Sequence, residues 1–139
     1  MHNALDISTS ALVAQRMRMN VIAGNLANMS SQRNEDGDIA AYQERFSVFQ
    51  ADESVGGGDA AGVKLGSIET ETVEPLYRYQ PDHPLAIQNG PRTGYVAYPN
   101  INMTEQMVDA MQATRAYQAN VGVIEITKEM ATQALRILG

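Results

Sequence analysis

Residues 103–138 place apolar side chains alternately four and three apart over five heptads, a pattern that a long helix with a partner buries. The stripe runs Met103, Met107, Ala110, Thr114, Tyr117, Val121, Ile124, Lys128, Ala131, Leu135 and Leu138, and nine of its eleven positions are apolar. At 1.5 Å per residue such a helix is roughly 50 Å long. Asn102 is placed to cap it, with Glu105 three residues on, the spacing of a capping box. A second stripe, Val123, Ile126, Met130, Ala134 and Ile137, runs along its second half. One partner helix covers one of these stripes and leaves the other.

The opposite end of the chain repeats the signal. Residues 4–29 contain no Pro and one interior Gly, Gly24. Leu5, Leu12, Met19 and Leu26 recur every seven residues, and Ser8, Gln15, Ile22 and Met29 complete the stripe. Ile7, Ala14, Met17 and Val21 lie on roughly the opposite side. This helix too wants neighbours on two sides, more than one hairpin partner provides.

About 70 residues separate the two helices. Ser30, Ser31, Gln32, Asn34, Asp36, Gly37 and Asp38 form a polar break. Phe46–Phe49 reads as a short strand, Gly56–Gly62 as a flexible turn, and Val63–Ile68 as a strand returning from it, with Thr70, Thr72 and Val73 as a continuation. All five prolines fall between Pro75 and Pro99, which excludes a long helix there and favours extended chain with turns. Asn89-Gly90 marks a tight turn, and Gly94–Tyr98 approaches the last helix in extended form.

The expected fold is mainly α with a small β part. Long N- and C-terminal helices pack as an antiparallel, coiled-coil-like pair, joined by a short β-hairpin and extended middle. The expected division is an N-terminal helix in 1–31, the hairpin and Pro-rich region in 32–102, and a C-terminal helix in 103–139. The simplest use of the surplus apolar surface is contact with other subunits, with the ends ordering on assembly.

Composition narrows the function. The net charge is −6, and the acidity sits in the middle: residues 32–103 carry a net −6, against +1 before and −1 after. No Lys/Arg cluster exists, which argues against nucleic acid as a partner. There is no cysteine, so neither a disulfide framework nor a Cys-based metal site is available. Eight methionines suit helix contacts that must fit several neighbours. No apolar run reaches the roughly 18 residues of a membrane span, so no direct membrane insertion is expected. Residues 1–15 lack a basic n-region and an apolar h-region, so export is expected without a cleaved signal.

Reactive constellations are missing. His2 and His83 have no His or Cys at ligand spacing, and surface histidine is the default for both. Asp82-His83 sits between Pro81 and Pro84 with no nucleophile elbow. Gly56–Ala61 fits a loose G-x-G-x-x-A, but a strand-like segment follows it where a nucleotide site needs a helix. Glu69, Glu71 and Glu74 read as a solvated strand face. No catalytic residue, cofactor or metal is expected.

Two stretches carry a resemblance. Ala4–Ser8 and Arg16–Asn28 (RMRMNVIAGNLAN) resemble the opening signature of the flagellar rod and hook axial family. Thr114–Asn120 (TRAYQAN) resembles its closing signature. Tyr95–Asn102 followed by Glu105–Asp109, with the short middle, is most similar to the family's proximal rod members. Ala23-Gly24-Asn25 departs from the usual Ala-Asn-Asn, and Gly24 loosens the helix end by up to about 1 kcal/mol relative to Ala.

The resemblance implies a structural subunit of the periplasm-spanning rod. It implies export through the flagellar type III apparatus, torque transmission, and a central channel for later export substrates. The implied partners are copies of itself, other proximal and distal rod proteins, and the rod-base adaptor. The packing residues it implies are Leu5, Leu12, Met19, Ile22, Asn25, Leu26, Asn28, Met107, Arg115, Tyr117, Asn120, Val121, Ile124 and Leu135. Arg115 is read as an intersubunit ion pair, a cap on a neighbour's carbonyl, or a solvated residue. Asn25, Asn28 and Asn120 are read as intersubunit or turn hydrogen bonds, or as local caps. Lys128 is read as snorkelling or pairing with a Glu of another helix. The rival functions are a soluble helical adaptor or chaperone that binds a partner helix, and a neighbouring rod protein of the same family.

Overall fold

The computed structural model describes residues 2–33, 37–55 and 61–138. Asn34 and Asp36 of the polar break, Gly56–Ala60 of the flexible turn, and the side chains of His2 and Leu138 lie outside the described residues. Helix α1 spans His2–Asn28 and helix α2 spans Met103–Leu138. Between them come strands β1 (Arg45–Asp52), β2 (Gly62–Thr70), β3 (Leu76–Tyr79) and β4 (Tyr95–Tyr98).

Local chemistry accounts for the helix ends. Asn102 Oδ1 accepts from the amides of Thr104 at 3.0 Å and Glu105 at 3.4 Å, which satisfies two of the orphan donors at the start of α2. Helix α1 runs through Gly24 and ends where Asn28 Nδ2 bonds back to the Gly24 carbonyl at 2.9 Å and Ser31 N donates to the Asn28 carbonyl at 2.9 Å.

The two helices are antiparallel. Asn25 meets Gln106, Arg18 pairs with Asp109, and Met19 lies against Thr114, so positions rise along one helix as they fall along the other. At 36 residues, α2 outruns the 27-residue α1. Extending the same register places the start of α1 opposite about residue 128, so the last turns of α2 project beyond it.

Strands β1 and β2 form an antiparallel hairpin, with Arg45 opposite Thr70 and Asp52 opposite Gly62. Val48 pairs with Ser67 but Phe49 pairs with Leu65, so Gly66 is an extra residue in a bulge. Strands β3 and β4 form a second antiparallel pair, Leu76 opposite Tyr98 and Tyr79 opposite Tyr95. The β3 strand lies inside the proline-rich stretch, which was expected to be extended chain with turns. Gly90 and Gly94 take positive φ in the connection, and Gly94 is buried with Tyr79 against its α-carbon.

The core divides into two small centres. One lies along α1, where Ser8, Ala14, Ile22 and Asn25 are buried. The other lies by the β3–β4 pair, where Ala86 and Val96 are buried and the buried Ala41 and Val96 line a cavity with Pro75, Tyr77, Leu85 and Ile87. The second face of α1 is covered in part within the chain, with Ala14 buried and Met17 still exposed. Ser10 Oγ accepts from Val63 N at 3.0 Å, and Phe49 of β1 lines a cleft with Arg18, Val21 and Ile22. The hairpin therefore takes the place on α1 that the sequence assigned to another subunit, because its half-buried Phe49, Val63 and Leu65 need an apolar surface of their own.

Candidate assembly surface

The helix seam is rotated partly off the apolar stripe of α2. Gln106 and Ala113 are the buried residues of this helix, Ala113 with no exposure at all, and Asn120 and Thr127 follow them at heptad spacing, half-buried. Ala110, Tyr117, Ile124 and Ala131 of the expected stripe lie beside them, half-buried. Met107, Thr114, Lys128 and Leu135 of the same stripe are exposed, Leu135 at 71%. The seam is thus built half from small and polar residues, which let the backbones approach closely.

Asn25 decides that rotation. It is 1% exposed. Its Nδ2 donates to the Arg45 carbonyl at 2.7 Å and to Gln106 Oε1 at 2.9 Å. Its Oδ1 accepts from Arg45 N at 3.0 Å and from Tyr42 OH at 3.4 Å. One amide therefore ties α1 to α2, to the start of β1 and to the segment before it. A buried amide needs its partners, and each one left unmade costs about 1–3 kcal/mol. Turning Gln106 away from the seam would strand Asn25.

Gln106 Nε2 in turn donates to Glu44 Oε1 at 2.6 Å. Burial pushes the Glu44 carboxyl above its ordinary range, the Gln106 bond lowers it, and the neighbouring Glu105, Glu71 and Asp109 carboxylates raise it further. A carboxyl raised in the folded state binds its proton more tightly there than in the unfolded chain. Its contribution is fully present below the ordinary Glu range and is lost as pH rises through the raised value. Glu44→Gln keeps the acceptor and removes the charge. The expected result is higher stability than the parent at neutral pH, with the gain shrinking as pH falls towards the ordinary Glu range, read by urea denaturation at a series of pH values. A gain of the same size at every pH would sink this account.

The other expected packing residues separate by position. Ile22 is buried, and Leu5, Leu12, Met19, Leu26, Tyr117, Val121 and Ile124 are half-buried. Within the chain Asn28 and Asn120 bond locally, Asn120 Nδ2 donating to the Ala116 carbonyl at 2.8 Å within its own helix. Met107 and Leu135 are exposed, and Arg115 is exposed with no ion pair among the described residues. Gln106, Ala113, Glu44 and Tyr42 were not singled out by the sequence. For the first two a signal was present: Gln106, Ala113, Asn120 and Thr127 form a heptad of small and polar residues one position before the apolar one.

Two surfaces of α2 remain uncovered. Near its start, Leu26, Met107, Ala110 and Met111 line a groove with Arg115 at its edge. Towards its end, Val123, Ile126, Met130 and Ile137 stand 45% to 85% exposed. Contiguous apolar exposure of this kind marks an interaction surface. No group of three or more His, Cys, Asp or Glu among the described residues is placed to hold a metal. His83 Nδ1 accepts locally from Leu85 N, and Glu74 pairs with Arg92 at 2.8 Å. No helix among the described residues is long and apolar enough to cross a membrane.

Known proteins share this arrangement of ends. The family model described as Flagella basal body rod protein matches residues 5–32, and that described as Flagellar basal body rod FlgEFG protein C-terminal matches residues 92–137. The chain is 42% identical to the flagellar basal-body rod protein FlgC of Salmonella typhimurium, over 97% of this chain and 96% of that protein. It is 36% identical to FlgC of Bacillus subtilis over the same shares, and 35% identical to FlgC of Borreliella burgdorferi over 98% and 96%. Likeness at this level across nearly the full length of relatives from such different bacteria leaves one assignment: the chain belongs to the flagellar basal-body rod protein FlgC family.

Proposed function

We propose that this chain is a structural, non-catalytic subunit of the flagellar basal-body rod, assembling helically with copies of itself and with other rod proteins. The helical ends, residues 1–31 and 103–139, form the axial core, and residues 32–102 lie outside it. The assembled rod spans the periplasm, transmits torque and encloses the export channel. The rod-base adaptor and the type III export apparatus are its further partners, the latter acting on the chain before assembly.

The observation that supports this reading is the surplus of apolar surface on α2. Its last turns, which project beyond α1, keep Met130, Leu135 and Ile137 largely exposed. That surface gains free energy only when neighbours cover it. An adaptor that binds a partner helix would also use such a face, but it does not account for membership of a rod family.

Limited proteolysis tests the proposal. The full-length chain is digested free and in isolated basal bodies, and the fragments are read by mass spectrometry. Fast cleavage after Lys128 and Arg136 in the free chain, with protection in the basal body, is the expected pattern. Equal cleavage in both states, or absence of the chain from basal bodies, would favour the adaptor.

A further inference from the structure

We infer that copies of this chain meet head to tail, the Met107–Met111 groove of one copy receiving the Ile126–Met130 stripe of the next. This rests on the rod reading above and names the contact that builds it. Both surfaces are apolar and exposed: Met107 at 52%, Met111 at 56%, Ile126 at 59% and Met130 at 58%. They lie on one rigid helix but not on one flank. At 3.6 residues per turn, Met130 stands roughly 140° around α2 from Met107 and about 35 Å further along it.

That placement selects the kind of contact. A two-fold pair would cover groove and stripe together only if they shared a flank of α2, and their separation of roughly 140° around the helix prevents that. Joining the groove to the stripe instead brings Arg115 towards Glu129, the charged residue nearest the stripe by helical position. Neither Arg115 nor Glu129 has an ion pair within the chain among the described residues. A contact between two different surfaces repeats as an open helix when each step also advances along the assembly axis, the form a rod takes, and closes into a ring when it does not. The groove is also continuous with the α1–α2 seam, since Leu26 and Ala110 line it. Its methionines adapt to an incoming side chain without a preset shape.

The chain has no cysteine, so an introduced pair reports on the contact alone. The full chain carrying Met107→Cys and Met130→Cys is expressed in motile cells, and basal bodies are isolated, oxidised and run without reductant. A disulfide needs α-carbons within about 7 Å, so these two positions of one chain cannot join and any bond is between copies. The expected result is a crosslinked dimer and higher species. A control pair, Met107→Cys with Lys64→Cys on the exposed side of β2, gives none. Met111→Cys with Ala134→Cys keeps the same spacing and gives the same ladder, should the first pair disturb folding. A chain recovered in basal bodies with no ladder from either pair, or with equal ladders from the control, overturns the head-to-tail contact and leaves the rod assignment standing. A parent chain missing from basal bodies overturns the assignment itself.

Discussion

Replacing Asn25 with Ala is expected to lower the unfolding free energy of the chain by about 2–4 kcal/mol, the largest effect of any single polar substitution here. The loss arises at both ends of every bond. Gln106 Oε1 and the Arg45 carbonyl each lose a donor, and Arg45 N and Tyr42 OH each lose an acceptor. Gln106 is itself only 2% exposed, so water cannot readily replace the amide. The measurement is urea denaturation followed by circular dichroism. A double-mutant cycle with Gln106→Ala should show that the second change costs less once the first is made, because the two residues share a bond. An unchanged midpoint for Asn25→Ala, or strict additivity with Gln106→Ala, would mean that the network does not hold the helices together.

The second large effect is expected from enlarging Ala113. This residue has no exposed surface and lies on the buried face of α2, one heptad after Gln106. Ala113→Leu inserts three carbon atoms into a seam with no room for them, and overpacking of this kind costs about 1–3 kcal/mol. The change is apolar and helix-favouring, so propensity predicts no harm. Ala119→Leu, on the exposed side of the same helix, is the control and should be close to neutral. Thermal unfolding of the two variants decides the matter. If Ala113→Leu melts with the parent, the seam does not run through that position.

These two residues also mark what the sequence made readable. Asn25 was singled out from the N-terminal signature, but with three uses open: intersubunit contact, a turn bond and a local cap. Only the fold brings Tyr42, Arg45 and Gln106 to it, from 17, 20 and 81 positions away. Ala113 is legible only through the Gln106, Ala113, Asn120 and Thr127 heptad, because a lone alanine is at home on any helix face. The apolar stripe was a correct guide to the existence of α2 and a partial guide to its orientation. Ala110, Tyr117, Ile124 and Ala131 follow it towards α1, while Met107 and Leu135 do not.

The sequence by itself determined the elements. Heptad spacing without proline required two long helices, Asn102 set where the second begins, and clustered prolines and glycines kept the middle in strands and turns. These are local properties, decided by backbone sterics and by side chains a few residues apart. The tertiary structure decided which face of each helix is inside. That choice depends on pairings distant in the chain: a buried amide that must find its partners, an alanine that allows close approach, and a hairpin that needs an apolar floor. Periodicity counts apolar residues but does not register where a polar group must be satisfied. At Asn25 and Gln106, satisfying buried amides outweighs covering Met107, and it leaves that methionine exposed for a neighbour.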